Sequence, residues 1–407
     1  MSKRIDLITK PKISVPLPKN FSETVDFNTP GFDPIKQNSI ESGYFVFTLM
    51  PSLRCKLNCP HCYLSLEQRR NSPIMSVEDL TIAAQKVADY YDARPKIEKK
   101  MIVFYWYGGE PTDMGFEYMI EAFQALECIF PAEKGYYTKH DILTSLVKID
   151  SQWFDVFRTW GQGHFQTSFD GIMRGKEYVR LWEQRVNEAV DSGLDVSTIS
   201  VVNNELIKDS PEEILDYLCS LNIKEASFLP FMLNEQNQAK HYNRFAPNME
   251  EYSKFMIRLM KYWYQLVDEG KSPPEIGQSQ YIISRQSMPP SANIAGQTLF
   301  LLPEGDFVLP DYKDGFLEFM QPFGNIFDQT FEEVTRSPER RAYLRRQYTR
   351  NYNPECLSCV SMHNCIMEFW KENRSGDECF GAKKFVNWLV KEEREQNVIS
   401  KWTNIMS

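Results

Sequence analysis

At 407 residues the chain is longer than one typical domain, which predicts one large α/β domain with a smaller appended region. Its residues are 42% hydrophobic and 25% charged, the fractions found in soluble globular proteins. The formal net charge of −9 argues against a polyanionic partner such as nucleic acid.

No early stretch resembles a signal peptide, and no apolar run approaches the roughly 20 residues that a membrane span needs. We therefore expect a cytoplasmic protein in a reducing compartment, without a membrane partner. Nine cysteines in such a protein are metal ligands or core residues more often than disulfides. Cys128 and Cys219 stand alone in apolar-periodic stretches and are expected to be buried, whereas the other seven form two groups.

The chain opens with residues 1–43, whose scattered Pro, Lys and Asn predict an N-terminal extension lying over the surface. Strands are then predicted where β-branched and aromatic residues concentrate, at 44–53, 101–108, 140–146, 164–170, 195–202 and 225–233. A helical pattern follows each strand, and Ser76 is the expected N-cap of the first helix. This succession over residues 44–270 predicts a parallel sheet with outer helices, a partial (β/α)6 TIM barrel. The active site of such a fold lies at the C-terminal ends of its strands.

Beyond residue 270 the pattern changes. We expect a linker at 271–290 and a small cysteine-rich domain at 291–407, beginning with a hairpin that turns at Glu304–Asp306. Between Arg336 and Arg350 the arginines recur every three to five residues. This spacing is typical of a solvated helix face, and the alternative is a surface that docks a partner.

Three cysteines, Cys55, Cys59 and Cys62, follow the first predicted strand in the stretch CKLNCPHC. With His61 they would form a Cys₃His zinc site, although the adjacent side chains of His61 and Cys62 seldom converge on one tetrahedral metal. The alternative is a [4Fe–4S] cluster, in which three thiolates leave one iron open for catalysis.

The spacing C-x₃-C-x₂-C resembles that of the radical S-adenosylmethionine (SAM) family. The resemblance implies that Cys55, Cys59 and Cys62 bind a [4Fe–4S] cluster whose open iron chelates SAM. Reductive cleavage of SAM would then give methionine and a 5′-deoxyadenosyl radical. The resemblance also implies that His61 packs as a flat ring beside the adenine and is not a ligand.

The second predicted strand ends in YWYGGEP, which resembles the loop that receives the SAM ammonium group in this family. The resemblance implies cofactor-binding roles for Gly108, Gly109 and Glu110. The glycines allow a close approach of the backbone, and the carboxylate of Glu110 offers an acceptor for a cation.

The fourth predicted strand ends in TSFDG, which resembles the family's Ser-x-Asp-Gly segment. The resemblance implies that Ser168 contacts the cofactor, while Asp170 is expected to serve a turn or to cap a helix. In this family an arginine of the following helix often meets the SAM carboxylate. Arg180 and Arg185 both have suitable positions, and Arg180 is our assignment.

A second cysteine group combines C-x₂-C-x₅-C with one distal cysteine, and its members are Cys356, Cys359, Cys365 and Cys379. Four thiolates complete either a zinc site or a fully ligated [4Fe–4S] cluster. The region resembles the C-terminal SPASM domain of radical SAM peptide-modifying enzymes, or the shortened twitch domain. The resemblance implies one auxiliary [4Fe–4S] cluster here. It also implies that Asp311 acts as a base toward a substrate radical, although a water-exposed aspartate at a hairpin end is the simpler interpretation.

The resemblance implies an oxidoreductase that uses SAM to abstract hydrogen from a C–H bond, and most specifically a maturase of ribosomally made precursor peptides. Residues 1–44 are too short for a peptide-recognition domain of ~80 residues, so a leader peptide would need a separate recognition protein or the barrel rim. A flavodoxin- or ferredoxin-type electron donor is also implied. The alternatives are a dehydrogenase of sugar- or cyclitol-type alcohols and a non-catalytic zinc-binding module.

Overall fold

The computed structural model describes residues 38–231, 244–285, 294–310, 321–362, 365, 370 and 376–400. The strands are β1 (Tyr44–Leu49), β2 (Lys100–Trp106), β3 (Tyr136–Thr144), β4 (His164–Ser168), β5 (Asp195–Val202), β6 (Glu225–Pro230), β7 (Glu275–Ile276), β8 (Thr298–Leu301), β9 (Asp306–Leu309) and β10 (Gln321–Asn325). The α-helices are α1 (Leu66–Asn71), α2 (Val77–Asp92), α3 (Phe116–Ile129), α4 (Gln152–Thr159), α5 (Lys176–Asp191), α6 (Pro211–Ser220), α7 (Met249–Asp268), α8 (Gly277–Ser284), α9 (Phe331–Thr335), α10 (Pro338–Tyr348), α11 (Pro354–Leu357) and α12 (Lys383–Gln396). Among these helices, none has the length and apolar character needed to cross a membrane.

The strands form one sheet in the order β10-β9-β8-β1-β2-β3-β4-β5-β6-β7. From β1 to β7 each strand pairs in parallel with the next, in chain order. Because crossover helices connect these strands, their C-terminal ends share one edge of the sheet. The predicted parallel core of six β/α units is confirmed, and its described strands form an open order.

The hairpin of β8 and β9 extends the sheet beyond its first strand. Its turn lies at the predicted position, where Gly305 has a φ of 91° that favours glycine. β8 pairs in parallel with β1, and the hydroxyls of Thr48 and Thr298 lie 3.0 Å apart across that pair. The region after the barrel is therefore joined to it through the backbone of the sheet.

Burial alternates along β2, β4 and β6, whereas other strands such as β1 contain consecutive buried residues. Phe45, Phe47 and Leu49 of β1 are fully buried on one face, where they pack toward helices such as α2. Ser76 caps α2 as predicted, since its hydroxyl accepts a hydrogen bond from the amide of Asp79. The core thus forms between the sheet and the helices, which leaves the C-terminal ends of the strands for the site.

Several local expectations were wrong. Cys128 is exposed, because α3 directs Met119, Phe123 and Leu126 into the core and Cys128 away from it. The arginines around α10 do not share a solvated face, since Arg340 is fully buried.

The segment expected as a linker contains β7 and α8, in which Ile276 and Ile282 are buried. The extension at residues 1–37 and Asp311 lie outside the described residues, so the roles and boundaries assigned to them stay predictions.

Candidate active site at the carboxyl ends of the strands

Two loops meet where β1 and β2 end: the cysteine loop, residues 52–62, and the glycine loop, residues 107–111. The amide of Glu110 donates to the carbonyl of Arg54 at 2.9 Å. A Cβ atom on Gly109 would lie 2.0 Å from the carbonyl oxygen of Arg54, and one on Gly108 would lie 2.7 Å from that of Ser52. Any side chain at Gly109 would thus push the two loops apart. Both glycines admit the backbone of the cysteine loop, a reason that the sequence did not reveal.

Glu110 ties the glycine loop to the end of β3. Its side chain is only 5% exposed, and its Oε1 accepts hydrogen bonds of 2.8 Å from the hydroxyls of Thr112 and Thr144. Its Oε2 accepts one from the amide of Ser145, also at 2.8 Å. Glu110 therefore serves as a structural anchor here. Its contact with an ammonium group stays a prediction, and in that contact Oε2 would accept a second hydrogen bond.

The cysteine loop folds back on α1. The amide of Cys55 donates to the carbonyl of Arg69 at 3.0 Å, and the guanidinium of Arg69 donates to the carbonyl of Leu57 at 2.6 Å. The amide of Cys62 donates to the carbonyl of Cys59 at 3.1 Å. These bonds shape the loop from inside and hold its three cysteines beyond the end of β1.

Burial and neighbouring charges change the pKa values of the three thiols. Burial is the main cause that raises the pKa of the Cys55 thiol to about 12, and the charges of Glu110, Cys59 and Cys62 contribute to this rise. Burial also raises the pKa of Cys59 and Cys62, while the cations of Arg69 and Arg174 oppose this shift. Thiolates in this setting need positive charge, which a bound metal centre supplies.

The donor set fits a [4Fe–4S] cluster. Among the described residues, no three His, Cys, Asp or Glu side chains converge as ligands of a single metal ion. In a cluster each thiolate binds a separate iron atom, so the cysteines need only surround it. His61 contacts residues outside the cysteine loop, since its Nε2 lies 3.6 Å from Asp170 and its ring meets that of Phe231 edge-on with the centroids 6.1 Å apart.

Asp170 centres a buried network behind the cysteine loop. It is 1% exposed; its Oδ2 accepts a hydrogen bond from Nε of Arg174, and its Oδ1 accepts one of 2.6 Å from the amide of Val201. Burial favours the neutral acid, yet Arg174 and His61 hold the pKa of Asp170 below its ordinary value. Tyr178 extends the network, since its hydroxyl donates to the carbonyl of Ser168 at 2.7 Å. The end of β4 is thereby fixed to the cysteine loop.

His61 is a neutral ring in this network. Burial lowers its pKa to about 4, an effect that Asp170 opposes and Arg174 reinforces. Its Nδ1 is buried without a hydrogen-bond partner among the described residues. A flat, neutral ring with one free nitrogen suits the predicted place beside an adenine, which can offer a hydrogen bond as well as a surface.

The structure corrects two assignments around α5. Asp170 precedes a short 3₁₀ helix, but its side chain makes no cap bond there and receives Arg174 instead. Arg180 is 61% exposed and pairs with Glu177 at 2.7 Å, so it points into solvent and away from the cysteine loop. The basic residue at the site is Arg174, which is 8% exposed.

Sequence reasoning missed Arg174 and Tyr178, although one signal was present. Asp170, Arg174 and Tyr178 follow one another at intervals of four, which places them on one side of a helical turn. Arg185, the other arginine considered, pairs with Glu188 at 2.5 Å. The contact of Ser168 with a cofactor stays a prediction, at a position on the edge of the site.

The second cysteine group lines one cavity, together with Arg350 and Gly381. A Cβ atom on Gly381 would lie 2.8 Å from Cβ of Cys365 and 3.8 Å from Sγ of Cys379, so only glycine lets these cysteines approach each other. Burial raises the pKa of Cys356 to about 12, and Arg350 opposes the shift. Four thiols and a buried cation around one cavity fit an anionic cluster with four thiolate ligands.

Known structures of the same fold cover most of the chain, although no family model matches it. The anaerobic sulfatase maturase anSMEcpe with bound AdoMet has a TM-score of 0.66 at 17% identity, over 88% of this chain and 99% of that one. The same protein with bound AdoMet and Cp18Cys peptide gives 0.65 at 15% identity, over 89% of this chain and 99% of that one. SuiB from Streptococcus suis, bound to precursor peptide SuiA, gives 0.53 at 15% identity, over 80% of this chain and 71% of that one. Both anSME and SuiB are radical SAM enzymes with SPASM domains.

Proposed function

We propose that this chain, which has the fold of radical SAM enzymes with a SPASM-type C-terminal region, is a radical SAM oxidoreductase that matures a peptide. The observation that carries the proposal is the joining of the cysteine loop and the glycine loop at one edge of a parallel sheet. Both loops carry the family's motifs, and their contact through Gly109 and Arg54 leaves no room for a side chain. Cys55, Cys59 and Cys62 belong to the loop at this edge, and their thiols would serve as the ligands of a cluster there.

In this proposal Cys55, Cys59 and Cys62 hold a [4Fe–4S] cluster, and SAM binds at its open iron. When bound, the two supply reductive cleavage of SAM and a 5′-deoxyadenosyl radical that abstracts a substrate hydrogen. The protein positions the cofactors. Arg174 places a buried cation beside the thiolates and takes the role that we had assigned to Arg180 toward the SAM carboxylate. The ring of His61 packs against the adenine.

The second cysteine group would hold the auxiliary [4Fe–4S] cluster. When bound, this cluster accepts the single electron that a substrate radical releases as it is oxidised. The accompanying proton needs a base, for which Asp311 remains our candidate. This pairing suits crosslinking, scission or dehydrogenation, in which the substrate loses one further electron and one proton after the hydrogen atom.

A peptide is the favoured substrate because enzymes of this fold have been solved with peptides in place. anSMEcpe was solved with Cp18Cys peptide and SuiB with precursor peptide SuiA. The match to anSMEcpe spans nearly the whole of both chains, so it includes the barrel and the C-terminal region together. The same two cofactors would also support oxidation of an alcohol, and an assay with both substrate classes distinguishes a peptide from an alcohol substrate.

The test is anaerobic assay of the iron-loaded protein with SAM and a reductant, with 5′-deoxyadenosine measured by chromatography. We expect the purified protein to be brown and to form 5′-deoxyadenosine. A colourless protein rich in zinc would contradict the proposal. Changing Cys55, Cys59 and Cys62 together to Ala should abolish that product and leave about four irons on the C-terminal site. Loss of all iron would contradict an independent second cluster.

The substrate class is decided by mass spectrometry in the same assay. Short peptides encoded beside the gene are offered alongside a panel of sugar and cyclitol alcohols. A mass loss of about two hydrogens, or a new crosslink, in a peptide supports the peptide assignment. Turnover of an alcohol, with every peptide unchanged, would move the assignment to a small-molecule dehydrogenase.

A further inference from the structure

Arg350 occupies an unusual position at the second cysteine group. Its side chain lines the cavity of the four thiols and the residue is only 5% exposed. Its Nη2 donates to Sγ of Cys365 and to the carbonyl of Met362, both at 3.4 Å. Its Nη1 is buried without a hydrogen-bond partner among the described residues. A charged group with an unused donor therefore faces the thiols.

The backbone around Arg350 is strained in a way that fixes this placement. Arg350, Asn351 and Tyr352 have φ values of 51°, 52° and 57°, in the left-handed region that L-residues seldom adopt. Each such residue costs on the order of 1 kcal/mol or more relative to the right-handed conformation. These three residues connect α10 with α11, so the segment that carries this cation keeps a costly backbone conformation in the folded protein.

A buried cation needs a compensating negative charge. An ionised group without a partner is among the most unfavourable things a protein interior can contain. Of the described residues that line the cavity none is a carboxylate, and Cys365 as a neutral thiol accepts only a weak hydrogen bond. Thiolates bound to a cluster would supply the missing charge and would give Nη1 a sulfur acceptor.

We propose that Arg350 is the resident countercharge of the auxiliary cluster and that it raises the cluster's reduction potential. This inference rests on the proposed function, because it requires the cluster at the second cysteine group. Reduction adds one negative charge to the cluster, and a fixed cation against its thiolate stabilises the reduced form more than the oxidised form. Net charge and hydrogen bonds to sulfur are established determinants of cluster potentials. Arg350 is thus a positioning and tuning residue that makes the cluster a better electron acceptor.

The test uses the full chain with Cys55, Cys59 and Cys62 changed to Ala, so that only the second cysteine group binds iron. Iron content and the electron paramagnetic resonance signal of the reduced protein are measured first. A zinc-filled or iron-free parent overturns the auxiliary cluster itself and, with it, this inference. When the parent holds its cluster, the potential is measured by redox titration followed through that signal.

The decisive comparison is between Arg350→Gln and Lys384→Gln in this background. Both remove one positive charge, but the side chain of Lys384 is 56% exposed, where water and salt screen it. We expect Arg350→Gln to lower the potential by at least 59 mV, a tenfold shift in the ratio of oxidised to reduced cluster, and Lys384→Gln to leave it unchanged. An unchanged potential in Arg350→Gln, or the same shift in both variants, overturns the inference.

The potential of Arg350→Lys is measured as well, because Arg350→Gln could fail to retain iron. Lysine keeps the charge but loses the planar pair of donors, so a smaller fall in potential is expected. That smaller fall supports the inference even where the glutamine variant is empty. Loss of iron in both variants, or a fall of 59 mV or more in the lysine variant although its charge is retained, overturns the inference.

Discussion

The hydroxyl of Thr144, the last residue of β3, donates a 2.8 Å hydrogen bond to the buried carboxylate of Glu110 in the glycine loop. The bond joins the ends of two neighbouring strands at the point where the cysteine loop also arrives. The glycine loop is therefore held on both sides, by the backbone of Arg54 and by the end of β3. This arrangement explains why a carboxylate at this position is buried in the protein.

Removing the hydroxyl of Thr144 tests this anchoring. Thr144→Val keeps the shape of the side chain but leaves the buried carboxylate of Glu110 with one donor fewer, which should cost about 1–3 kcal/mol of folding free energy. Differential scanning calorimetry should show this as a fall of at least 2 °C in Tm. The matched control is Thr198→Val, because Thr198 is 1% exposed, against 2% for Thr144, but donates only a 3.5 Å bond. Equal falls in the two variants would contradict the special role of Thr144.

A second prediction concerns the close contact between Gly109 and the carbonyl of Arg54. In Gly109→Ala the new methyl group would lie 2.0 Å from the carbonyl of Arg54, so the cysteine loop must shift. We expect the variant to fold but to lose the iron of the N-terminal cluster and with it 5′-deoxyadenosine formation. The control is Gly115→Ala, in which a φ of +99° strains the backbone while the methyl group meets nothing within 4 Å. Iron analysis separates the effects, and full iron content in Gly109→Ala would refute the tight contact between the loops.

The sequence was sufficient for the barrel because alternating strands and helices are local patterns, each readable within a window of some twenty residues. It was also sufficient for the parallel arrangement of the first six strands, since β/α crossovers leave few alternatives, but not for the pairing of β8 with β1 or for β7. The contacts between residues inside the site could not be predicted in this way. His61, Asp170 and Val201 come from three separate segments, and no local pattern records that they meet.

The arginines also show that a local sequence pattern does not predict which side chains are buried. Arg180 had the expected position in the helix after β4, but the 3.6-residue period of α5 turns it toward Glu177 and solvent. Arg340 and Arg350 belong to a periodic run that resembles an exposed face, yet both are buried. Arg350 contacts Cys365, which lies outside the helix, and spacing within one helix does not reveal such a contact.

Arg174 and Arg180 give a matched pair of substitutions. Arg174→Met removes one partner of the buried pair with Asp170 and leaves a buried carboxylate unpaired, which should cost about 3–5 kcal/mol. It should also abolish SAM cleavage, because the cation beside the thiolates is lost. Arg180→Gln removes an exposed ion pair with Glu177 and should change neither Tm nor the rate of 5′-deoxyadenosine formation. A strong loss of SAM cleavage in Arg180→Gln with a mild effect in Arg174→Met would restore the original assignment.

Glu225, near the opposite end of the barrel, predicts a dependence of stability on pH. Burial and the neighbouring charge of Glu275 raise its pKa. A raised pKa in the folded state means that folding favours the protonated acid, so ionised Glu225 destabilises the protein above its unfolded pKa near 4.3.

Glu225→Gln removes that penalty and should raise Tm at pH 7.5 by on the order of 2 °C. The gain should shrink as the pH falls through the raised pKa of the folded state and disappear below about 4.3, where the parent's carboxyl becomes protonated in both states. Thermal unfolding of the parent and the variant between about pH 4 and pH 8 measures this, with the surface change Glu133→Gln as the control. A gain that stays constant over this range would show that packing, and not ionisation, distinguishes the two side chains.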